Sequence, residues 1–338
     1  MSEATRERGV RSALVTYTNN SETELRSKAN EIVGCVPPHL RTATWFGFLL
    51  QQMVRPYQHA IYPGRVRGLA FVNGMSARGI RETNTQRHYF GQHGDIYVDK
   101  VSKFACKLIR ETGGKPVKRL AQIVDRIYVD EAQDLAGYDL DLIENLLDSD
   151  IDVVLVGDHR QATFKTNQSR KNSRYRKERI IDKFKDWQVE GKVTIEIHNH
   201  SYRCVQGICD AADKLFPNVE GTISRNHART GHDGVFLVRQ RDVDTYVDRF
   251  SPQTLRYNRG KKNVPGNPFN FGEAKGMTFE RTLIFPHRPL ETYCLTGKLA
   301  DAGKELSKIY VAMTRARQSV GVVVPNHTTG GIAPVYPT

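Results

Sequence analysis

The chain has 338 residues, 39% hydrophobic and 26% charged, with 14 Phe and 14 Tyr. That length suggests about two domains, and the composition excludes a mostly disordered or collagen-like chain. Fifty Lys and Arg against 37 Asp and Glu leave a formal charge of +13, which suits a polyanionic partner without specifying a fold. No apolar run approaches the roughly 18 to 20 residues of a membrane helix, and residues 1–8 lack a hydrophobic signal core. The five cysteines (Cys35, Cys106, Cys204, Cys209 and Cys294) are scattered with no C-x2-C pair. That pattern fits a reduced, cytoplasmic protein better than a zinc knuckle or a disulfide framework.

Along the chain, short β-rich runs alternate with helical stretches, which predicts parallel α/β units. Strands are expected at 13–16, 69–72, 126–129, 152–156, 193–197, 235–238, 281–285 and 320–324. Several are continuous Val/Ile/Leu runs, as expected when both sheet faces are covered. Leu140, Ile143, Leu146 and Leu147 recur at helical spacing and predict a helix over 139–147. Val205, Ile208, Ala211, Ala212 and Leu215 do the same for 201–216. Residues 165–185 carry nine basic side chains and two acids, and read as a connecting segment that is either a phosphate track or a solvated helix face. Residues 326–338 are rich in Gly, Pro and Thr and read as a loose tail. His198-Asn-His200 spells a nuclease motif, but no ββα frame or further ligands accompany it.

The strongest chemical signal is Arg126-Ile-Tyr-Val-Asp-Glu-Ala-Gln-Asp134, a hydrophobic strand that ends in acids. Side chains at the carboxyl end of a parallel strand emerge into the ligand crevice. A first carboxylate there can hold Mg²⁺, usually through water, and its neighbour can orient or deprotonate an attacking water. About twenty residues on, Val153-Val-Leu-Val-Gly-Asp-His-Arg-Gln161-Ala-Thr-Phe164 repeats the strand-then-polar pattern. Tyr202-Arg203, Glu273-Ala-Lys-Gly-Met-Thr-Phe279 and Ile309-Tyr-Val-Ala-Met-Thr-Arg-Ala-Arg317 follow, most of them beside a predicted strand.

This ordered set resembles the UvrD/Rep group of superfamily 1 helicases over roughly residues 10–325. Val129-Asp-Glu-Ala-Gln-Asp134 looks like the family's Walker B motif and Val156-Gly-Asp-His-Arg-Gln161 like its motif III. Arg203 looks like the motif IV arginine, Ala274-Lys-Gly-Met-Thr-Phe279 like motif V and Tyr310-Val-Ala-Met-Thr-Arg-Ala316 like motif VI. Val15-Thr-Tyr-Thr-Asn-Asn-Ser-Glu-Thr-Glu24 is similar to motif Ia, and Thr44-Trp-Phe-Gly-Phe48 to the motif that follows it. The resemblance implies two RecA-like α/β lobes with a cleft between them. It places lobe 1 at 1–164 with a short insertion at about 49–125, a connector at 165–185, lobe 2 at 186–325 and a tail at 326–338. It implies an ATP- and Mg²⁺-dependent DNA helicase or single-strand translocase. Asp130 would serve Mg²⁺, Glu131 would activate water, Gln161 would sense the γ-phosphate, and Arg203 and Arg315 would act as arginine fingers. Thr18, Thr44, Trp45, Phe46 and Phe164 would line the path of single-stranded or tailed DNA, and Lys275 and Gly276 would link DNA surface to nucleotide. The alternative from another class is a non-hydrolysing nucleic-acid-binding or regulatory subunit with the same fold.

The resemblance has gaps. The phosphate loop G-x-x-x-x-G-K-[ST] occurs nowhere in the 338 residues. Only about a dozen residues precede the strand at Ala13, and residues 1–8 read like the tail of the helix that follows such a loop. The loop is therefore expected to be encoded upstream, to have been lost in a degenerate relative, or to come from another chain. The chain as given is expected to bind and hydrolyse ATP poorly. Thr166 and Asn167 stand where the family has a Trp and an Arg, and Thr278 where it has a Glu. About seventy residues separate Arg203 from Lys275, too few for the large insertion of full-length UvrD-like enzymes. This compactness, with Trp45-Phe-Gly-Phe-Leu-Leu and Arg55-Pro56, is similar to the helicase-like subunit of Gabija anti-phage systems, which implies a nuclease protein partner.

Overall fold

A computed structural model describes residues 4–5, 9–163, 166 and 169–336. The chain divides into two compact units, the first Met1–His159 with Phe164–Ile195, the second Arg160–Thr163 with Glu196–Thr338. No helix among the described residues is long and apolar enough to cross a membrane. All five cysteines are free thiols.

The strands of the first unit are β1 (Ser12–Thr16), β2 (Leu40–Thr44), β3 (Leu69–Ala70), β4 (Ile96–Tyr97), β5 (Arg126–Val129) and β6 (Asp152–Leu155). Four form one parallel sheet in the order β2-β1-β5-β6. Every residue of β1 is buried, as are Ile127, Tyr128 and Val129 of β5, whereas the outer strands β2 and β6 are largely half-buried. Only the central strands have covered faces on both sides, which is why they read as continuous apolar runs. The helices Trp45–Leu49, Val101–Glu111 and Tyr138–Leu147 pack one core through Phe48, Leu49, Phe104, Leu108, Leu140 and Ile143. The insertion at 49–125 therefore supplies part of this core through the helix Val101–Glu111.

In the second unit β7 (His200–Ser201) pairs with β8 (Ile223–Ser224). The main sheet holds β9 (Gly234–Arg239), β10 (Gln253–Arg256), β11 (Phe269–Asn270), β12 (Phe279–Phe285) and β13 (Ala316–Val324) in the order β11-β10-β12-β13-β9, all parallel. Residue alternation gives each strand two faces. Ile284, Val320 and Val322 pack against the helices Gln206–Asp213, Arg288–Thr296 and Leu306–Met313. Leu283 and Val323 face the helix Val243–Phe250 through Val243 and Tyr246. Both units are parallel α/β layers, as the alternation of β-rich and helical stretches predicts.

Several expectations need correction. Residues 193–197 form no strand. Their Val-Thr-Ile-Glu-Ile alternation imitates one, but they pair with no neighbour, Ile197 is 72% exposed, and the chain leaves the first unit here. The strand expected at 69–72 is only two residues long, and the helix expected over 201–216 covers Gln206–Asp213, with Ser201 already in β7. The basic segment is not a connector between units. It belongs to the first one, where the helix Ile180–Val189 buries Trp187, and Lys183 reaches Glu144 at 3.3 Å. The tail is not loose. Leu237 donates to the Pro334 carbonyl and Tyr336 to that of Leu237, at 2.9 and 2.7 Å, so the segment runs beside β9 and buries Tyr336. The helix tail expected at 1–8 lies mostly outside the described residues; Ala4 and Thr5 are helical and buried.

One aromatic cluster makes the second unit sensitive to acid. The His232 ring lies flat between Phe236 and Phe250, 3.9 Å from each centroid, and its Nε2 is 2.9 Å from the Tyr246 hydroxyl. Burial first, then the nearby positive charges of Arg281 and Arg249, push its pKa down to about 4 from 6.5. The unfolded chain therefore binds a proton between these values that the folded chain refuses, so stability falls as pH drops through that window and is constant above it. Denaturant titrations are expected to show a loss on the order of 2 kcal/mol from His232 between about pH 7 and 4.5, and His232→Phe to flatten the slope to the share of His88 and His287, whose burial also lowers their pKa.

Candidate functional site

In the first unit the parallel sheet brings four strand ends to one edge. Thr16 of β1 is in register with Thr44 of β2, Val15 with Val129 of β5, and Val129 with Leu155 of β6. The residues just beyond these ends, Thr18, Thr44, Asp130, Glu131 and Gly157, therefore share that edge. Asp130 is set by its backbone N–H, which donates to the Val15 carbonyl at 2.8 Å. Its Oδ1 accepts from the Glu131 N–H at 2.9 Å. Glu131 sits at φ +55°, a left-handed conformation that is uncommon for a side-chain-bearing residue and clusters at functional turns.

The acidic turn is braced from β6. The Gln133 amide donates to the Glu131 carboxylate, while its Oε1 accepts from the Asp158 N–H at 3.1 Å. The Ala132 N–H donates to the Val156 carbonyl at 2.9 Å. Gly157 leaves space for this brace. A Cβ there would lie 3.1 Å from both the Ala132 and Gln133 nitrogens and overlap the Gln133 Oε1. The sequence reading missed Gln133 and Gly157 as positioning residues, although both lie inside the quoted motifs.

Thr18 and Thr44 both cap helices. Thr18 accepts from the Ser21 N–H at 3.1 Å and Thr44 from the Gly47 N–H at 3.3 Å, as threonines at N-caps do. Thr18 is exposed, Thr44 and Phe46 are half-buried. Trp45 is a correction: it has no exposed surface, and its indole N–H donates to Asp139 at 2.9 Å. It is a core residue and cannot stack on a base. Phe164 lies outside the described residues. Tyr17, inside the quoted motif but not singled out there, packs beside Trp45 and Phe46 with centroids 6.4 and 6.5 Å away. Burial, then the carboxylates of Asp139, Asp134 and Glu131, raises its pKa well above the usual phenol range, so it stays protonated at neutral pH.

In the second unit segments far apart in sequence meet at Arg315, which is 1% exposed. Its Nη2 lies 3.2 Å from the Gln161 Oε1, its Nε donates to the Val311 carbonyl at 3.0 Å, and its Nη1 to the Met277 carbonyl at 3.4 Å. The Arg203 Nη1 donates to the Thr314 carbonyl next to it, at 3.3 Å. The Lys275 and Gly276 turn precedes Met277, with Gly276 at φ +83° and exposed. Gln161, Arg203, Met277, Thr314 and Arg315 thus form one polar group drawn from four of the seven motifs. The hydrogen bond from Cys209, then the charges of Arg203 and Arg315, hold the Cys204 thiol below its usual pKa. Arg160 was also missed. Its guanidinium bonds Asp213 at 2.9 Å and Thr222 at 3.1 Å and lies 4.7 Å from the Tyr310 ring centroid. The signal was its place beside Gln161.

A Mg²⁺ ion bound mainly by water and phosphate needs only one or two carboxylates, which Asp130 and Glu131 can offer. Among the described residues no group of three or more His, Cys, Asp or Glu could hold a metal by itself. A glycine-rich Lys loop of the kind that cradles a triphosphate is not among these 338 residues.

The brace makes a direct prediction. Gly157→Ala must displace Gln133 and with it the Glu131 carboxylate, costing about 1–3 kcal/mol of first-unit stability. A melting temperature equal to that of the parent protein would overturn this account of the turn.

No protein-family model matches the chain, and no curated protein does either. Among solved structures, the helicase of PRRSV aligns at 15% identity and a TM-score of 0.45, covering 99% of this chain and 52% of its own. An arterivirus nonstructural protein 10, a helicase in complex with DNA, aligns at 13% and 0.43, covering 98% and 58%. The C-terminal domain of a possible DNA helicase from Lactobacillus plantarum aligns at 17% and 0.24, covering 39% and 90%. The chain spans little more than half the length of the two viral helicases it is similar to.

Proposed function

We propose that this chain is a superfamily 1, UvrD-like DNA helicase or single-stranded DNA translocase driven by Mg-ATP. The observation that supports this reading most is the meeting of Gln161, Arg203, Met277 and Arg315 in the second unit, residues up to 154 positions apart in the chain. Sequence order alone does not require it. A helicase-like reading does, because arginines that stabilise a transferring phosphoryl group must be held in place by their own network. In this reading Asp130 serves Mg²⁺, which supplies charge neutralisation when bound. Glu131 takes a proton from water, and the brace from Gln133 fixes where it does so. Gln161, Arg203 and Arg315 act on the phosphates, Lys275 and Gly276 link nucleotide to DNA, and Thr18, Thr44 and Phe46 contact a cytoplasmic single strand. The compact core extends the proposal to an anti-phage role beside a nuclease protein, which co-purification from the native host tests.

The formal charge of +13 also fits a second reading, a non-hydrolysing nucleic-acid-binding or regulatory subunit with the same fold. ATP hydrolysis stimulated by single-stranded DNA separates the two. The first reading expects stimulated turnover that falls at least about a hundredfold in Glu131→Gln. It expects a fall of about a thousandfold in Arg315→Ala. DNA binding without turnover in the parent protein leaves the second reading standing, and neither binding nor turnover sinks both.

A further inference from the structure

The insertion of the first unit carries an excursion that the motifs do not account for. Between residues 60 and 94 there are five arginines (Arg65, Arg67, Arg78, Arg81 and Arg87) and one acid, Glu82. Glu82 is already engaged by Lys103 at 2.7 Å and by the Tyr89 hydroxyl. All five arginines are exposed, and none has a carboxylate partner among the described residues. Within this basic stretch Phe71 is 78% exposed, with Val72 and Met75 exposed beside it.

This apolar tip is held in place from both sides. Leu69 and Ala70 of β3 pair with Ile96 and Tyr97 of β4, and the Ser76 N–H donates to Asp99 at 3.2 Å. Arg78 folds back so that its guanidinium lies 3.4 Å from the position a Cβ of Gly74 would take, which puts a cation on the tip itself. Folding gains nothing from an exposed phenyl ring among unpaired arginines. A protein partner would be expected to meet free acids as well as cations here, whereas an exposed phenyl ring and cations, with Glu82 and Asp99 already engaged, match a strand of phosphates and bases.

We infer that the 71–75 tip and its arginines form a contact for single-stranded nucleic acid, with a base stacked on Phe71 and phosphates held by Arg67 and Arg78. The inference rests on the nucleic-acid-binding part of the proposed function and adds a site to it. It is tested on the full chain by anisotropy of labelled oligo-dT and oligo-U. The two arms separate DNA from RNA as the ligand, and tighter binding of either supports the site. Phe71→Ala is expected to weaken binding about tenfold. Arg67→Ala with Arg78→Ala is expected to flatten the dependence of log K on log salt by roughly 1.4, about 0.7 per lost contact. Phe71→Trp gives an independent readout. The native Trp45 and Trp187 are fully buried, so a new exposed indole is expected to be quenched by the oligonucleotide while the native signal stays constant. Parent protein that binds both oligonucleotides, with Phe71→Ala within about twofold of it and no quenching, overturns the site and spares the proposed function. Parent protein that binds neither overturns both.

Discussion

The first unit is organised around one buried carboxylate. Asp139 has no exposed surface, and four segments donate to it: the Trp45 indole, the Ser102 hydroxyl, the Ala136 backbone N–H and the Thr166 hydroxyl. Burial, the largest influence, raises its pKa, while these donors pull it down. A carboxylate in such a place costs several kcal/mol unless its lone pairs are met, so the donors must arrive together. They come from the helix that follows β2, the insertion helix, the acidic turn and the segment after β6. The position of Asp130 and Glu131 thus depends on an acid eight residues farther on that touches no ligand. The Thr166 backbone N–H donates to the Asp134 carbonyl at 3.3 Å, closing the far side of the same turn.

The second unit solves a similar problem with a cation. Arg315 is almost fully buried and faces backbone carbonyls and an amide oxygen among its partners. Guanidinium suits this role because its planar set of donors can serve several carbonyls at once while remaining charged. Arg160 is treated alike, with a carboxylate, a hydroxyl and an aromatic face around it. Positive charge fixed at the ends of parallel strands costs no reorganisation when an anion arrives, which is the electrostatic property a phosphate site needs.

Much of the fold could be read from sequence because the central strands of a covered parallel sheet must be apolar throughout. β5, β12 and β13 announced themselves in this way, and so did the helix Tyr138–Leu147 by its spacing. What misled were patterns whose meaning depends on partners. Residues 193–197 alternate like a strand but have no strand to join. Trp45 sits in a motif whose counterpart in the resembled family lines the DNA path, yet here its indole N–H meets Asp139 in the core. The basic run at 165–185 resembles a solvated linker, but Trp187 just after it buries fully and carries the helix Ile180–Val189 into the first unit. The acids and arginines of the candidate site stood out in the motifs by their chemistry. Gln133, Gly157 and Tyr17 lie in the same motifs but did not, because their roles come from backbone contacts and packing across strands.

The segment beside β9 has a consequence for solubility. β9 is the outermost strand on its side of the main sheet, and Val335 forms a bridge to Leu237 along it. An outermost strand with open amide and carbonyl groups is a template on which other chains can add. Pro334 and Tyr336 occupy that template with backbone hydrogen bonds, and the Tyr336 ring seals the apolar seam beneath. Residues 334–336 thus cap this edge against sheet-to-sheet polymerisation, and a version of the chain without them would expose a sticky ladder before it lost any part of its polar machinery.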